Sequence, residues 1–311
     1  MRFFLSLTNS PKQADQLKSF LDELDASYFN ICVIFDLSDQ TLVSQTQYLS
    51  ALKKLKASRT LFLSLRNYSR IHSLFLFFNR KFHFVEVILG NIIGYYCKEY
   101  FETVSKSKKI ILDDGLIVVS IAKLVAKTKR TEEFIFYSAY TQLLDNKVNM
   151  VASLSKFSSK NISKFKFEPR TLGVFGSPLV ENGFMSNSEL EHNVLSAMKF
   201  HGCTSIYYYM HRRETSKFKS NRITEIYDDT LDSLDLILRE EVIPRKWWSI
   251  YSSALVDLSL FNWDHMVYSF TRVESVSSMN NPYLLGKGIA TLDSIYEIYT
   301  DLNFKEVECQ S

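Results

Sequence analysis

The sequence predicts an α/β protein built as two successive doubly wound parallel units with a cleft between them. Two observations carry this. Strand-like apolar runs alternate with helically spaced segments from Phe3 to Leu65, and the alternation restarts at Thr171 after a stretch of different character, residues 156–170. At 311 residues the chain is long enough for each unit to bury its own core.

In chain order, Phe3 to Leu7 reads as a first strand and Thr8-Asn9-Ser10-Pro11 as a turn. The turn feeds a helix over Lys12 to Leu24, with Ser10 or Asn9 as cap and Pro11 at its first position. Asn30 to Leu37 is the next strand, Leu42 to Leu55 has helical spacing, and Thr60 to Leu65 is a third strand. Phe82 to Leu89 is a further strand that ends in Gly90-Asn91, and Ile92 to Val104 reads as a helix. That helix leads into Ile110 to Leu112, an unbroken apolar run of the kind expected of a parallel strand covered on both faces. Leu116 to Lys127 fits helix or strand.

Lys156 to Arg170 is rich in serine and lysine with interleaved Phe, and reads either as an interdomain linker or as a basic aromatic strip touching an anionic membrane surface. The expected domains are therefore 1–160 and 161–311. In the second, Thr171 to Phe175 is a strand, Gly176-Ser177-Pro178 a tight turn, and Ser186 to Phe200 a helix with Ser186 and Glu189 as a capping box. Ser205 to Met210 is a strand ending at His211, and Leu234 to Leu238 reads as another. Ser252-Ser253 precede an apolar segment, Ala254 to Phe261, and Thr291 to Leu302 has helical spacing. The result is two Rossmann-like units, with no internal repeat between them.

Composition excludes some classes. Hydrophobic residues at 46% and charged residues at 23% are those of a globular protein, and a net charge of +3 is too small to indicate nucleic acid. The 24 Phe and 17 Tyr fit large apolar cores, or an interface facing lipid or sugar. The four cysteines, Cys32, Cys97, Cys203 and Cys309, form no C-x-x-C pair, so neither zinc nor a redox dithiol is expected, and reduced cytosolic thiols are the simplest account. The apolar start Phe3-Phe4-Leu5 is too short for a signal-peptide core, and no run of 18 apolar residues occurs. A soluble or peripherally attached cytoplasmic protein is expected.

Chemistry concentrates at a few points. Asp113-Asp114-Gly115 follow the strand at 110–112, where parallel sheets bind ligands. Two neighbouring carboxylates in an apolar setting can act as a general base, because repulsion and burial raise one pKa, or they can simply cap a strand. His211 opens a cationic run with Arg212 and Arg213 that suits a leaving phosphate. Gly176-Ser177-Pro178 occupy a strand-to-helix turn that can receive a phosphate or carboxylate, and Ser252-Ser253 offer further hydroxyls and amides or serve only as an N-cap.

The order D-D-G, G-S-P-L-V-E-N-G, Y-M-H-R-R-E, I-P and S-S-A-L resembles the bacterial lipooligosaccharide sialyltransferases, glycosyltransferase family 52, and the related bacterial polysialyltransferases. Ser10-Pro11-Lys12-Gln13 is similar to that family's opening S-P-x-Q turn, and Gly90-Asn91 to another of its elements. The resemblance spans nearly the whole chain and implies a GT-B fold, two Rossmann-like domains facing a central cleft, the first binding acceptor and the second the CMP donor. It implies an inverting, metal-independent transferase without cofactor, which moves sialic acid or another CMP-activated keto acid (Kdo, legionaminic or pseudaminic acid) to an oligosaccharide or glycolipid. Asp113 would be the base and His211 would meet the departing phosphate. Gly176, Ser177, Pro178, Asp235, Ser252 and Ser253 would hold the donor, and Asp114, Gly115, Glu189, Arg212 and Arg213 are secondary candidates. Glu189 is a competing base or a capping residue. Arg212 stands where the family has proline. A catalytically degenerate glycan-binding protein and a UDP- or GDP-dependent transferase are the alternatives. Contact with the cytoplasmic face of the inner membrane and homodimerisation are further expectations.

Overall fold

The computed structural model describes residues 2–8, 10–24, 27–34, 42–55, 60–64, 85–90, 108–113, 115–127, 131–153, 165–215, 218–261, 263, 265–273 and 293–308. These fall into two compact units, one up to Ser153 and one from Phe165 onward. Among the described residues every strand pairing is parallel.

The first unit holds β1 (Arg2–Thr8), α1 (Pro11–Asp22), β2 (Tyr28–Ile34), α2 (Leu42–Leu55), β3 (Thr60–Ser64), β4 (Val85–Leu89), β5 (Lys109–Leu112), α3 (Ile117–Ala126), β6 (Phe134–Ser138) and β7 (Asn149–Ala152). Its sheet runs β3-β2-β1-β4-β5-β6-β7. The ambiguous segment 116–127 is helical over α3. Helix α1 starts where its local chemistry dictates: the Ser10 hydroxyl accepts from Gln13 N at 3.3 Å and Pro11 begins the first turn. Its buried Leu17 and Leu21 pack with Phe4, Ile88, Ile110 and Tyr137 into the core, and Phe20 meets Phe4 and Tyr137 edge to face at 5.8 and 5.4 Å.

The second unit holds β8 (Lys166–Phe175), α4 (Asn187–Phe200), β9 (Ser205–Tyr209), β10 (Ile223–Ile226), α5 (Ser233–Arg239), β11 (Val242–Ser249), α6 (Ser253–Ser259), β12 (Val267–Phe270), α7 (Asp293–Asp301) and β13 (Lys305–Glu306). Its sheet runs β10-β9-β8-β11-β12-β13. The fully buried Trp247 lies over Gly173, where an added Cβ would sit 2.5 Å from the indole, and stacks on Phe175 at 5.0 Å. Glycine is therefore required at 173 for close packing.

Two expectations are corrected. Leu234 to Leu238 is not a strand but the body of α5, because the Asp232 carboxylate accepts from Leu234 N at 3.0 Å and Asp235 N at 2.8 Å and caps a helix there. Lys166 to Arg170 is not linker but the opening of β8. Lys166, Phe167 and Glu168 pair in register with Val242, Ile243 and Pro244, so that part of the strand is held by its ladder rather than by apolar burial. The expected helix at 92–104 and the rest of the 156–170 stretch, residues 156–164, lie outside the described residues. Among the described residues no helix is long and apolar enough to cross a membrane.

Candidate functional site

In each sheet the strand order reverses beside the first strand, between β1 and β4 and between β8 and β11. At such a point the two outgoing turns diverge and leave a crevice at the carboxyl edge, where open α/β sheets bind ligands.

In the second unit that edge carries Gly176-Ser177-Pro178 after β8 and Tyr251-Ser252-Ser253 after β11. The Ser177 hydroxyl donates to the Tyr251 carbonyl and ties the two turns together. The Ser252 hydroxyl caps α6 by accepting from Ala254 N at 3.2 Å, and Ser253 is the first residue of that helix. The Ser252 backbone is gripped by one group: the buried Tyr299 hydroxyl, from α7, accepts from Ser252 N and donates to Ser252 O, both at 2.8 Å. Tyr299→Phe is expected to cost about 1 kcal/mol, because it removes both hydrogen bonds to the half-buried Ser252 N–H and carbonyl. Chemical denaturation would measure this, and an unchanged midpoint would show that Tyr299 does not hold the turn.

His211 follows β9 and is half-buried. Its Nδ1 accepts from Arg213 N at 3.2 Å, which puts the proton of the neutral ring on Nε2. Burial, with Arg212 and Arg213 beside it, lowers its pKa to about 3, so the ring is neutral near pH 7. Beneath it lies the carboxylate of Glu214, the last residue of the Y-M-H-R-R-E motif. Its Oε1 accepts from Ser177 N at 3.1 Å and from the Tyr208 hydroxyl at 2.7 Å, and its Oε2 accepts from His211 N at 2.5 Å. An added Cβ on Gly176 would sit 2.1 Å from that Oε2, so the glycine leaves the space the carboxylate fills. Burial raises the Glu214 pKa to about 8 against three hydrogen bonds that favour the charge. Folding thus favours the protonated form: the stabilisation is whole below the ordinary value of 4.5 and is lost as pH rises through about 8. Melting temperatures across that window are expected to fall more steeply for the wild type than for Glu214→Gln; equal slopes would mean an ordinary glutamate.

In the first unit Asp113 follows β5 directly and is fully buried. Gln16 on α1 meets it twice, its Nε2 donating to Asp113 Oδ2 and its Oε1 accepting from Asp113 N, both at 2.6 Å. Ala139 N also donates to Oδ2, at 2.9 Å, while Oδ1 is buried without a hydrogen-bond partner. Burial raises the Asp113 pKa; the nearby Lys12 and the hydrogen bonds from Ser138, Ala139 and Gln16 oppose it. Lys12 lies over Tyr140, donating to its hydroxyl at 2.6 Å. Gly90 sits against the Gln13 side chain, which an added Cβ would meet at 2.2 Å, so the S-P-x-Q turn and the glycine after β4 are neighbours at the reversal point.

The structure thus brings together Gly176, Ser177, His211 and Ser252 in one unit, and Ser10, Gln13 and Gly90 at one edge of the other. Pro178 is half-buried beside Ser177, Arg212 is half-buried and Arg213 exposed. Asp235 lies in the first turn of α5 instead of within a strand. Glu189 is exposed and its carboxylate accepts from Ser186 N at 2.6 Å, completing the capping box. Gly115 turns the chain at a φ of 65°, a conformation that favours glycine, and Asp114 lies outside the described residues. Among the described residues no group of three or more His, Cys, Asp or Glu is placed to hold a metal ion.

No family model matches the sequence, and no curated protein matches it. Solved structures do. The Arabidopsis thaliana glycosyltransferase UGT89C1 complexed with UDP is similar over 89% of this chain and 82% of its own, with 9% identity and a TM-score of 0.51. The same enzyme complexed with UDP-L-rhamnose covers 98% of this chain and 84% of its own, at 10% identity and a TM-score of 0.49. An α/β-galactoside α-2,3-sialyltransferase from the luminous marine bacterium Photobacterium phosphoreum covers 98% of both chains, at 10% identity and a TM-score of 0.49. The fold is GT-B. Two Rossmann-like units in one chain are what that fold requires, and both are present, the first with strand order 3-2-1-4-5-6-7 and the second with 3-2-1-4-5-6.

Sequence reasoning passes over Glu214, Gln16 and Tyr299. Glu214 carries a local signal, a carboxylate three residues after His211. Gln16 and Tyr299 carry none, since their partners lie 97 and 47 residues away.

Proposed function

We propose that this protein is an inverting glycosyltransferase that moves sialic acid, or a related keto sugar acid, from a CMP-activated donor to a hydroxyl of a cell-surface oligosaccharide. One observation supports this above the others: at the carboxyl edge of the second sheet, the turn at 176–178, the turn at 251–253 and His211 are knit together by Ser177 and Glu214. These are the three donor-side motifs of the sialyltransferase resemblance, found on a GT-B fold.

The roles follow from the chemistry of the groups. The acceptor oxygen attacks the anomeric carbon and its bond forms as the bond to the CMP phosphate oxygen breaks, through an oxocarbenium-like transition state. Asp113 takes the acceptor's proton on Oδ1, the oxygen left without a partner, and burial raises its basicity. Because Asp113 is fully buried, acceptor binding has to open a path to Oδ1. Neutral His211 presents Nε2–H to the departing phosphate, and the hydroxyls of Ser252 and Ser253 hold it, while Gly176 N and Ser177 N, bonded to Tyr209 O and Glu214 Oε1, fix the turn that walls the nucleotide. Asp235, in the first turn of α5, is the ribose contact. The second unit binds donor and the first binds acceptor, without a metal, on the cytoplasmic side of the membrane.

A thermal-shift panel of CMP, UDP, GDP and CMP-activated keto acids tests the donor class. Stabilisation by CMP and its keto-acid esters is expected. A shift with UDP or GDP alone would replace the donor assignment, and binding without release of CMP in the presence of varied acceptors would make the protein a glycan-binding scaffold.

A further inference from the structure

Glu214 is buried and reaches two turns that carry different parts of the proposed donor site. Through Oε1 it takes Ser177 N from the turn after β8, and through Oε2 it takes His211 N from the turn after β9. The Tyr208 hydroxyl, from inside β9, supplies its third hydrogen bond, and the missing side chain at Gly176 supplies its room. Both carboxylate oxygens are thereby used, one on each turn. The next turn outward is braced as well, because Thr215 N donates to Glu181 Oε1 at 2.6 Å.

We infer that Glu214 is the positioning residue of the donor site, a carboxyl clamp that sets the separation of the 176–178 turn from the His211 imidazole. It touches no reacting atom and acts through that turn and His211. The inference rests on the reading of this edge as a nucleotide site, and it adds what that site depends on. Two acceptor oxygens are needed, because a backbone N–H meets each of them, and a carboxyl supplies both whether or not it carries a proton. A glutamine of the same shape has one acceptor oxygen and turns an NH2 group toward one of the N–H groups. Glu214 itself is faced by Tyr208 and Glu181, and His211 by Arg212 and Arg213. With the clamp closed, His211 is held half-buried under two arginines; with it open, the ring returns toward water and toward an ordinary histidine pKa.

The test uses the full chain as wild type and as Glu214→Gln, labelled with ¹⁵N-histidine, with a His211→Gln sample to assign the resonance among the six histidines. In the wild type His211 is expected to stay neutral down to about pH 5, and in Glu214→Gln to titrate above it. CMP, titrated by calorimetry, is expected to bind the variant about tenfold or more weakly. A folded variant with wild-type His211 titration and wild-type CMP affinity overturns the inference. Wild type that binds no CMP, together with a His211 titration that moves in Glu214→Gln, sinks the nucleotide reading and leaves the clamp standing. Should the variant fail to fold, Glu214→Asp decides: its side chain is one methylene too short to reach both turns, so an unchanged His211 titration and CMP affinity in that variant overturn the clamp.

Discussion

Asparagine at position 113 is expected to lower turnover by about 10²–10⁴-fold while the chain stays folded, the usual loss on removing a general base. Asp113→Asn keeps more of the geometry than alanine does, at the cost of burying an amide NH2 where Oδ1 now lies. The new amide oxygen can stand where Oδ2 now accepts from Gln16 Nε2 and Ala139 N, and the new NH2 falls on the side of the partnerless Oδ1. Asp113→Ala is the poorer experiment, because it leaves those two donors buried and unmet at about 1–3 kcal/mol each, so lost activity and lost structure would be mixed. Release of CMP from a CMP-activated keto acid, followed with an acceptor present, measures the effect beside a melting curve. The wild-type rate should also fall on the acid side at a pH above the ordinary aspartate value of 3.8, since burial raises this carboxyl. Wild-type turnover by Asp113→Asn would move the base elsewhere and leave Asp113 as a link between α1, β5 and β6.

Gly176→Ala is the second large effect. The new methyl would lie 2.1 Å from Glu214 Oε2 and 2.9 Å from Tyr208 Cε1, inside any tolerable contact. Glu214 cannot swing away without giving up Ser177 N, the Tyr208 hydroxyl and His211 N, so the strain passes into both turns. Over-packing of this kind costs about 1–3 kcal/mol, which corresponds to a melting temperature lower by roughly 2–10 °C for a chain of this class. CMP affinity is expected to fall with it, by about tenfold or more. Calorimetric melting and CMP titration check the two together. An alanine variant with unchanged melting and unchanged affinity would mean that the edge after β8 is neither tightly packed nor the donor site.

Much of the first unit was legible because its signals are short-range. The period and β-branching of Ile110 to Leu112 announce a covered strand, and Ser10-Pro11 announces a helix start. The S-P-x-Q and Gly90 motifs were visible as letters, yet nothing in the letters says that Gln13 covers Gly90. Where the sequence misled, two local patterns were close in energy. Leu-Asp-Leu-Ile-Leu alternates well enough for a strand, and the Asp232 cap decides for helix. Lys166 to Arg170 has the polarity of a linker, and pairing with β11 makes it a strand.

By itself the sequence determined the α/β class, the caps of α1 and α4, and the order of the motifs, since each depends on residues within a turn or two of one another. Only the tertiary structure decided that Glu214 joins Ser177 to His211, that Gln16 grips Asp113 from 97 residues away, and which carboxyls are raised in pKa. Burial and hydrogen-bond partnership belong to the neighbours that folding brings together, and no local pattern encodes which those will be.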